Sequence, residues 1–183
     1  GSRADSLTVE GGGLRLRRAT EDDVDFVVGL LNEEDTAPFL AASRSHDRAG
    51  VLEDVKASTE EPADSGLFMI EVPDGGGWAR AGMMEFSLEN RRSRIARLSG
   101  LAIHPDFRGS KVSDEAAGHF QRHLIRDLGF HRVQMEIYGF NERAIAHAER
   151  SGFTREGVRR KAYWRNEQWV DSVLFGLVEE DLD

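Results

Sequence analysis

The 183-residue sequence contains no cysteine. Disulfides, thiolate nucleophiles and thiolate metal sites are therefore excluded. No apolar run approaches the ~20 residues that a membrane-spanning helix needs. The opening GSRADSLTVEGGG lacks the apolar core of a secretory signal, so a cytoplasmic protein without membrane contact is the expectation. Basic residues are in deficit, 24 against 33 acidic ones, for a formal net charge of −9. Nucleic acid is then a poor partner unless the basic residues cluster. An acidic cleft would instead attract a cationic substrate. Repeats and low-complexity tracts are missing as well. What is there, 39% hydrophobic content over 183 residues, suits one domain with a real core. Residues 1–13, ending in three glycines, read as a flexible lead-in, and 14–183 as the domain.

The chain organises around 95–128. An apolar run from Ile95 to Ile103 is stopped by His104-Pro105. The polar loop DFRGS follows, and an amphipathic pattern runs from about Val112 to Leu128. A buried strand, a tight loop and a helix in that order leave backbone N–H groups unpaired at the helix start, beside a strand end. Such a place suits a phosphate or pyrophosphate. Arg108 and Lys111 bring positive charge to the same loop.

Upstream, Leu14 to Arg17 alternates as a strand. Thr20 is a good N-cap, with Asp23 three positions on, for a helix that buries Val24, Val27, Val28 and Leu31. Pro38 interrupts a short helix or turn over 32–41, and a third helix covers 47–56. Strands are expected over 67–72 and 78–88, joined by Asp74-Gly75-Gly76-Gly77 as a hairpin turn. Gly82 marks a bulge or close packing. After the long helix, 132–138 reads as a strand with Val133, Met135 and Ile137 on one face and Gln134, Glu136 and Tyr138 on the other. Asn141 caps a short helix over 142–150, which Gly152 ends. A last hairpin turns at Arg165-Asn166-Glu167. Hairpin-linked strands followed by a helical crossover give an α/β fold: a mixed, mostly antiparallel sheet of about seven strands flanked by helices.

The run Arg108-Gly109-Ser110-Lys111-Val112-Ser113 is similar to the Q/R-x-x-G-x-G/A segment that binds acyl-CoA in the GNAT superfamily of N-acetyltransferases. Its two later glycine positions hold Lys111 and Ser113 here. The stretch from Asn141 to Phe153, then Glu156-Gly157 and the residues up to Leu177, resembles the closing motifs of the ribosomal-protein N-terminal acetyltransferase-like branch. The resemblance covers roughly 14–182. It implies the single-domain acyl-CoA N-acyltransferase fold and acetyl-CoA as cosubstrate. It also implies direct transfer of the acetyl group to a primary amine of a small molecule or a peptide N-terminus. The pantetheine arm would bond to the backbone of Leu101, Ala102 and Ile103, where the family's central strands splay apart. Arg108 and the backbone of Gly109, Ser110, Lys111, Val112 and Ser113 would meet the phosphates, with Asn141 near the pantetheine. No metal is implied, and a homodimer is compatible with it.

An amine with pKa ~10 must lose a proton before it attacks a thioester. Many relatives carry a tyrosine acid seven residues after the asparagine, where this chain has Ala148. Many members of the branch carry a glutamate two residues before the central strand's glycine, where this chain has Leu98. The remaining candidates are Glu136, beside the cofactor cleft and opposite the apolar set, and Glu85, inside a strand. Tyr138, His104 and His147 are further ones, although His104 suits a turn and His147 a helix surface. Ser99 is placed to orient a thioester or to pack. Trp78, Trp164 and Trp169 are candidates to line an acceptor pocket. Lys111, Ser113, Ala148 and Leu98 all depart from the family pattern. Two other classes therefore stay open: a non-catalytic or regulatory CoA-binding module, and a protein-interaction domain that has lost the cofactor.

Overall fold

A computed structural model of the chain describes residues 6–8, 13–32, 40–41, 47–109 and 111–182. Its strands are β1 (Ser6–Thr8), β2 (Arg15–Arg18), β3 (Ser65–Asp74), β4 (Gly77–Asn90), β5 (Ile95–Ile103), β6 (Arg132–Tyr138), β7 (Thr154–Arg165) and β8 (Gln168–Val178). They form one eight-stranded sheet in the order β1-β2-β3-β4-β5-β6-β8-β7. Seven of these were expected from the pattern. The additional one, β1, lies in the segment read as a flexible lead-in and pairs antiparallel with β2. An edge strand gains ladder partners that local composition does not announce. The β3–β4 hairpin turns at Gly75 and Gly76, with φ of 53° and 86°, a left-handed pair that glycine adopts without steric cost.

Helices cover both faces. On one face α1 (Val24–Asn32) and α2 (Arg48–Glu60) bury Val24, Val27, Leu30, Val51 and Val55 against Leu67, Met69, Met83 and Ala102. On the other, α3 (Val112–Arg122) and α4 (Glu142–Arg150) bury Phe120, Ala144 and Ala148 against Phe86, Leu98, Met135 and Ile137. The N-terminus of α2 is capped by Asp47, which accepts from the Gly50 N–H at 2.7 Å. This helix runs four residues beyond its expected end, because Ser58 is buried and tied to the Arg18 guanidinium and the Leu67 N–H. The long amphipathic pattern is α-helical to Arg122 and then forms a π turn over His123–Asp127. There His123 is buried and bonded to Asp127 at 2.9 Å. Most of the short element expected over 32–41 lies outside the described residues.

Charge clusters where α1 meets the sheet. Asp23 is fully buried, accepts from the Thr20 N–H at 2.8 Å, and pairs with Arg17 at 2.8 Å and Arg80 at 3.0 Å. Burial pushes its carboxyl upward. The bonds from Arg17 and Thr20 and the charges of Arg17 and Arg80 outweigh that and hold it below the usual carboxylate range.

Two irregularities position everything that follows. Glu85 faces Gly100 and Phe86 faces Leu98, so Ser99 is an extra residue on β5. The bulge changes the strand's phase: Ala96 and Leu98 point towards α3 and α4, as do Leu101 and Ile103, while Ala102 points towards α1 and α2. The second irregularity is a splay. Strands β5 and β6 run parallel, linked by the α3 crossover, and pair only at Ile95↔Arg132, Ala96↔Val133 and Arg97↔Gln134. Beyond those pairs they diverge, and a wedge opens through the sheet.

Candidate active site

The end of β5 is built as its sequence suggests. His104 accepts from the Asp106 N–H at 3.1 Å and caps a one-turn 3-10 helix over Pro105–Phe107, which is the turn role expected for it. Gly109 then takes φ 77°, a conformation that side chains resist. Lys111 has φ −83° and ψ 14°, which any L-residue accepts. The backbone at this position therefore makes no demand for the glycine found in relatives. Ser110 lies outside the described residues.

Between this loop and α4 lies an open cleft of about 730 Å³ counting its mouth. Arg108, Lys111, Arg143 and Arg150 line it with a single carboxylate, that of Asp114. In a chain of net charge −9 this is a local reversal of sign. Partial burial, and then the charge of Arg108, weaken the hold of Arg143 on its proton. The Arg108 Nε is buried and has no hydrogen-bond partner among the described residues. Two cations held near each other, one with an unused donor, fit a polyanion such as a CoA pyrophosphate. Arg143, His147 and Arg150 sit at i, i+4 and i+7 of α4, opposite the buried Ala144 and Ala148. The sequence reading passed over Arg143 and Arg150, although this spacing carried the signal. His147, expected on a helix surface, is instead buried, with its Nε2 3.3 Å from Asp114. Burial pulls its pKa down against a backbone bond at Ser113 and the Asp114 charge. Asn141 caps α4 by accepting from the Ala144 N–H at 3.1 Å.

Next to the cleft, across His147, an apolar space lies at the wedge between β5 and β6, and its walls include Leu98, Leu101, Met135, Ile137 and Ala148. Ala148 and Leu98, which stand where relatives carry an acid and a base, are both in this apolar core. On the far side of the sheet, under α1 and α2, a small pocket is walled by Val27, Leu31, Val51 and Met83. Two carboxylates, Asp54 and Glu85, reach it together with Ser99. The Ser99 hydroxyl lies 3.3 Å from Glu85 Oε1, a contact that the bulge creates.

The structure separates the two glutamates that the sequence put forward together. Glu136 faces away from the apolar set, as expected, but its carboxylate lies in a different cleft, with Arg97, Arg132 and Glu156. Arg97 and the Tyr163 hydroxyl donate to its Oε2 at 2.8 and 2.7 Å. The Ser172 hydroxyl and Arg159 approach its Oε1 at 3.3 and 3.5 Å. Burial pushes this carboxyl up, but the bonds from Tyr163 and Arg97 win and keep it below the usual range. A general base needs an open lone pair near the reacting proton, and both Glu136 oxygens are already engaged. The tryptophans do not line the Glu85 pocket. Trp78 lies under the Arg15 guanidinium at 4.4 Å. Trp164 and Trp169 form an edge-to-face pair at 5.1 Å on the β7–β8 hairpin and are 56% and 60% exposed.

The chain belongs to the acetyltransferase (GNAT) domain family, whose model matches residues 13–154. Among curated proteins it is similar to the SPbeta prophage-derived uncharacterized N-acetyltransferase YokL of Bacillus subtilis (strain 168). The two are 28% identical over 83 residues, 45% of this chain and 47% of that protein. The matched part thus spans about half the length of that curated relative. Among solved structures it resembles a variant of the spermidine N-acetyltransferase SpeG from Vibrio cholerae, with TM-score 0.78 and 16% identity over 94% of this chain and 97% of that one. It also resembles the ribosomal-protein-S5-alanine acetyltransferase from Vibrio fischeri, with TM-score 0.78 and 17% identity over 97% and 98% of the two chains. At these identities the likeness concerns the fold, and the fold is that of the acyl-CoA N-acyltransferases.

Proposed function

We propose that this chain is an acetyl-CoA-dependent N-acetyltransferase whose acceptor is a primary amine that arrives as a cation. One observation carries the reading: a cation-lined cleft and a carboxylate-lined pocket lie on opposite faces of the sheet, and the apolar space between β5 and β6 shares a lining residue with each. Arg108, Lys111, Arg143 and Arg150 would hold the phosphates of CoA, helped by backbone N–H groups of Gly109 and 111–113 at the start of α3. The edge of β5 at Leu101, Ala102 and Ile103 faces the wedge and offers its backbone to the pantetheine arm. Bound acetyl-CoA would supply an acyl carbon activated as a thioester; the neutral amine nitrogen bonds to it, the carbon–sulfur bond breaks, and the departing CoA thiolate takes the second proton that the acylated nitrogen sheds. Asp54 and Glu85 attract the ammonium, Glu85 accepts its proton, and Ser99 fixes the carboxylate's orientation. Glu136 is a positioning group in this scheme: it ties β5, β6, β7 and β8 together through Arg97, Tyr163 and Ser172.

The acceptor is a small-molecule amine or a peptide N-terminus. Spermidine and ribosomal-protein acetyltransferases share the fold and represent both classes. A cytoplasmic enzyme is part of the proposal. So is self-association through the exposed Trp164 and Trp169 hairpin, in line with the dodecameric spermidine N-acetyltransferase from Vibrio cholerae among the structural neighbours. Calorimetry with acetyl-CoA, followed by free-CoA release across a panel of diamines and peptides, tests the reading. Absence of CoA-ester binding would sink it. Binding without turnover on any amine would favour a regulatory CoA-binding module, the reading that Ala148 and Leu98 support.

A further inference from the structure

We propose that Leu40 sets the length of the acyl group that this site accepts; the inference rests on the acyl-CoA reading above. Three spaces follow one another through the sheet, each separated from the next by a shared lining residue. The cation-lined cleft and the apolar wedge share His147 as a lining residue. The wedge and the carboxylate pocket share Leu40. If a thioester comes down the wedge and an amine waits beside Glu85, the acyl carbon has to lie where those two spaces meet. Leu40 stands at that junction.

Its side chain is held there from two directions. Leu40 is 3% exposed and belongs to the core formed by Leu98, Leu101, Met135 and Ile137. The next residue, Ala41, donates its N–H to the Glu136 carbonyl on β6 at 2.9 Å and packs on Tyr138 and Val170. The isobutyl group of Leu40 is thus a fixed apolar partition, and it acts by volume alone. An acetyl group ends short of such a wall. Each further methylene must push against a packed side chain, which costs affinity. Two extra methylenes at a packed apolar wall are worth about tenfold or more.

The test is a calorimetric titration of the full chain and its Leu40→Ala, Leu40→Val and Leu40→Phe variants with CoA, acetyl-CoA and butyryl-CoA, with a melting curve for each. The wild type is expected to bind acetyl-CoA about tenfold more tightly than butyryl-CoA. Leu40→Ala is expected to abolish or invert that preference while leaving affinity for CoA itself in place, and Leu40→Val to move the ratio part of the way. Leu40→Phe is expected to weaken acetyl-CoA relative to CoA. Should Leu40→Ala fail to fold, the valine and phenylalanine variants read the same ratio. Equal binding of both esters by the wild type, or an unchanged ratio in the folded variants, overturns the role of Leu40. No binding of any CoA ester by the wild type overturns the acyl-CoA reading instead.

Discussion

The cleft beside α4 and the pocket beneath α1 carry opposite charge, although the same apolar space borders both. Arg108, Lys111, Arg143 and Arg150 face one, and Asp54 and Glu85 the other. Lys111, Arg143 and Arg150 are exposed at the mouth of the cleft, where salt screens them, whereas the Arg108 Nε is buried. The carboxylates are half-buried in a pocket walled by Val27, Leu31 and Met83. The net charge of −9 averages over this division and describes neither site. On the reading proposed above, one pocket would work by affinity and the other by chemistry, and substitutions should separate the two.

The largest effect should come from the acidic side. Glu85→Gln keeps the shape and removes the proton acceptor, so turnover should fall by about 10²–10⁴. Calorimetric affinity for acetyl-CoA should stay at the wild-type value. Retained turnover would remove Glu85 from the chemistry and leave the pocket as a docking space.

On the cationic side, Arg143→Ala should weaken acetyl-CoA binding by roughly tenfold to a hundredfold, since bonds to charged groups contribute about 1.5–3 kcal/mol. The loss should shrink as salt rises, because the exposed contact is screened. A loss independent of salt would point to a packing defect in α4.

A smaller change is expected at Lys111, which is exposed. Lys111→Ala should cost several-fold in acetyl-CoA affinity at low salt, about 1 kcal/mol, and less at high salt. Because φ there is −83°, glycine has no conformational advantage. Lys111→Gly should therefore weaken binding as alanine does. Tighter binding in the glycine variant would mean that the side chain obstructs the cofactor.

The mildest effect concerns Glu136, which belongs to neither pocket. Its folded pKa lies below its unfolded value of about 4.3, so its contribution to stability is complete above that pH. It is lost as pH falls through the lower folded pKa. Melting temperatures from pH 7 to pH 3 should show the wild type losing more stability in acid than Glu136→Gln. Parallel curves would assign the acid loss to other groups, with Asp23 the first to examine.

Local pattern alone determined much of this protein. The apolar run from Ile95 to Ile103, the proline that ends it, and the cap at Asn141 are short-range physics, and those elements lie where the residues said. The turn at Gly75-Gly76 and the cationic strand–loop–helix at Arg108 were legible for the same reason. Tertiary structure decided the rest. Strand β1 exists because β2 has an edge to pair, and α2 runs to Glu60 because Arg18 bonds Ser58 from another element. On the proposed reading, the choice between Glu85 and Glu136 depends on the cleft that each carboxylate enters. Among the contacts that reach them, Ser99 at Glu85 and Arg97, Tyr163 and Ser172 at Glu136 come from 14 to 39 residues away in the chain. A strand pattern tells which face a side chain takes. Only the packed sheet tells which cleft that side chain enters and which residues meet it there.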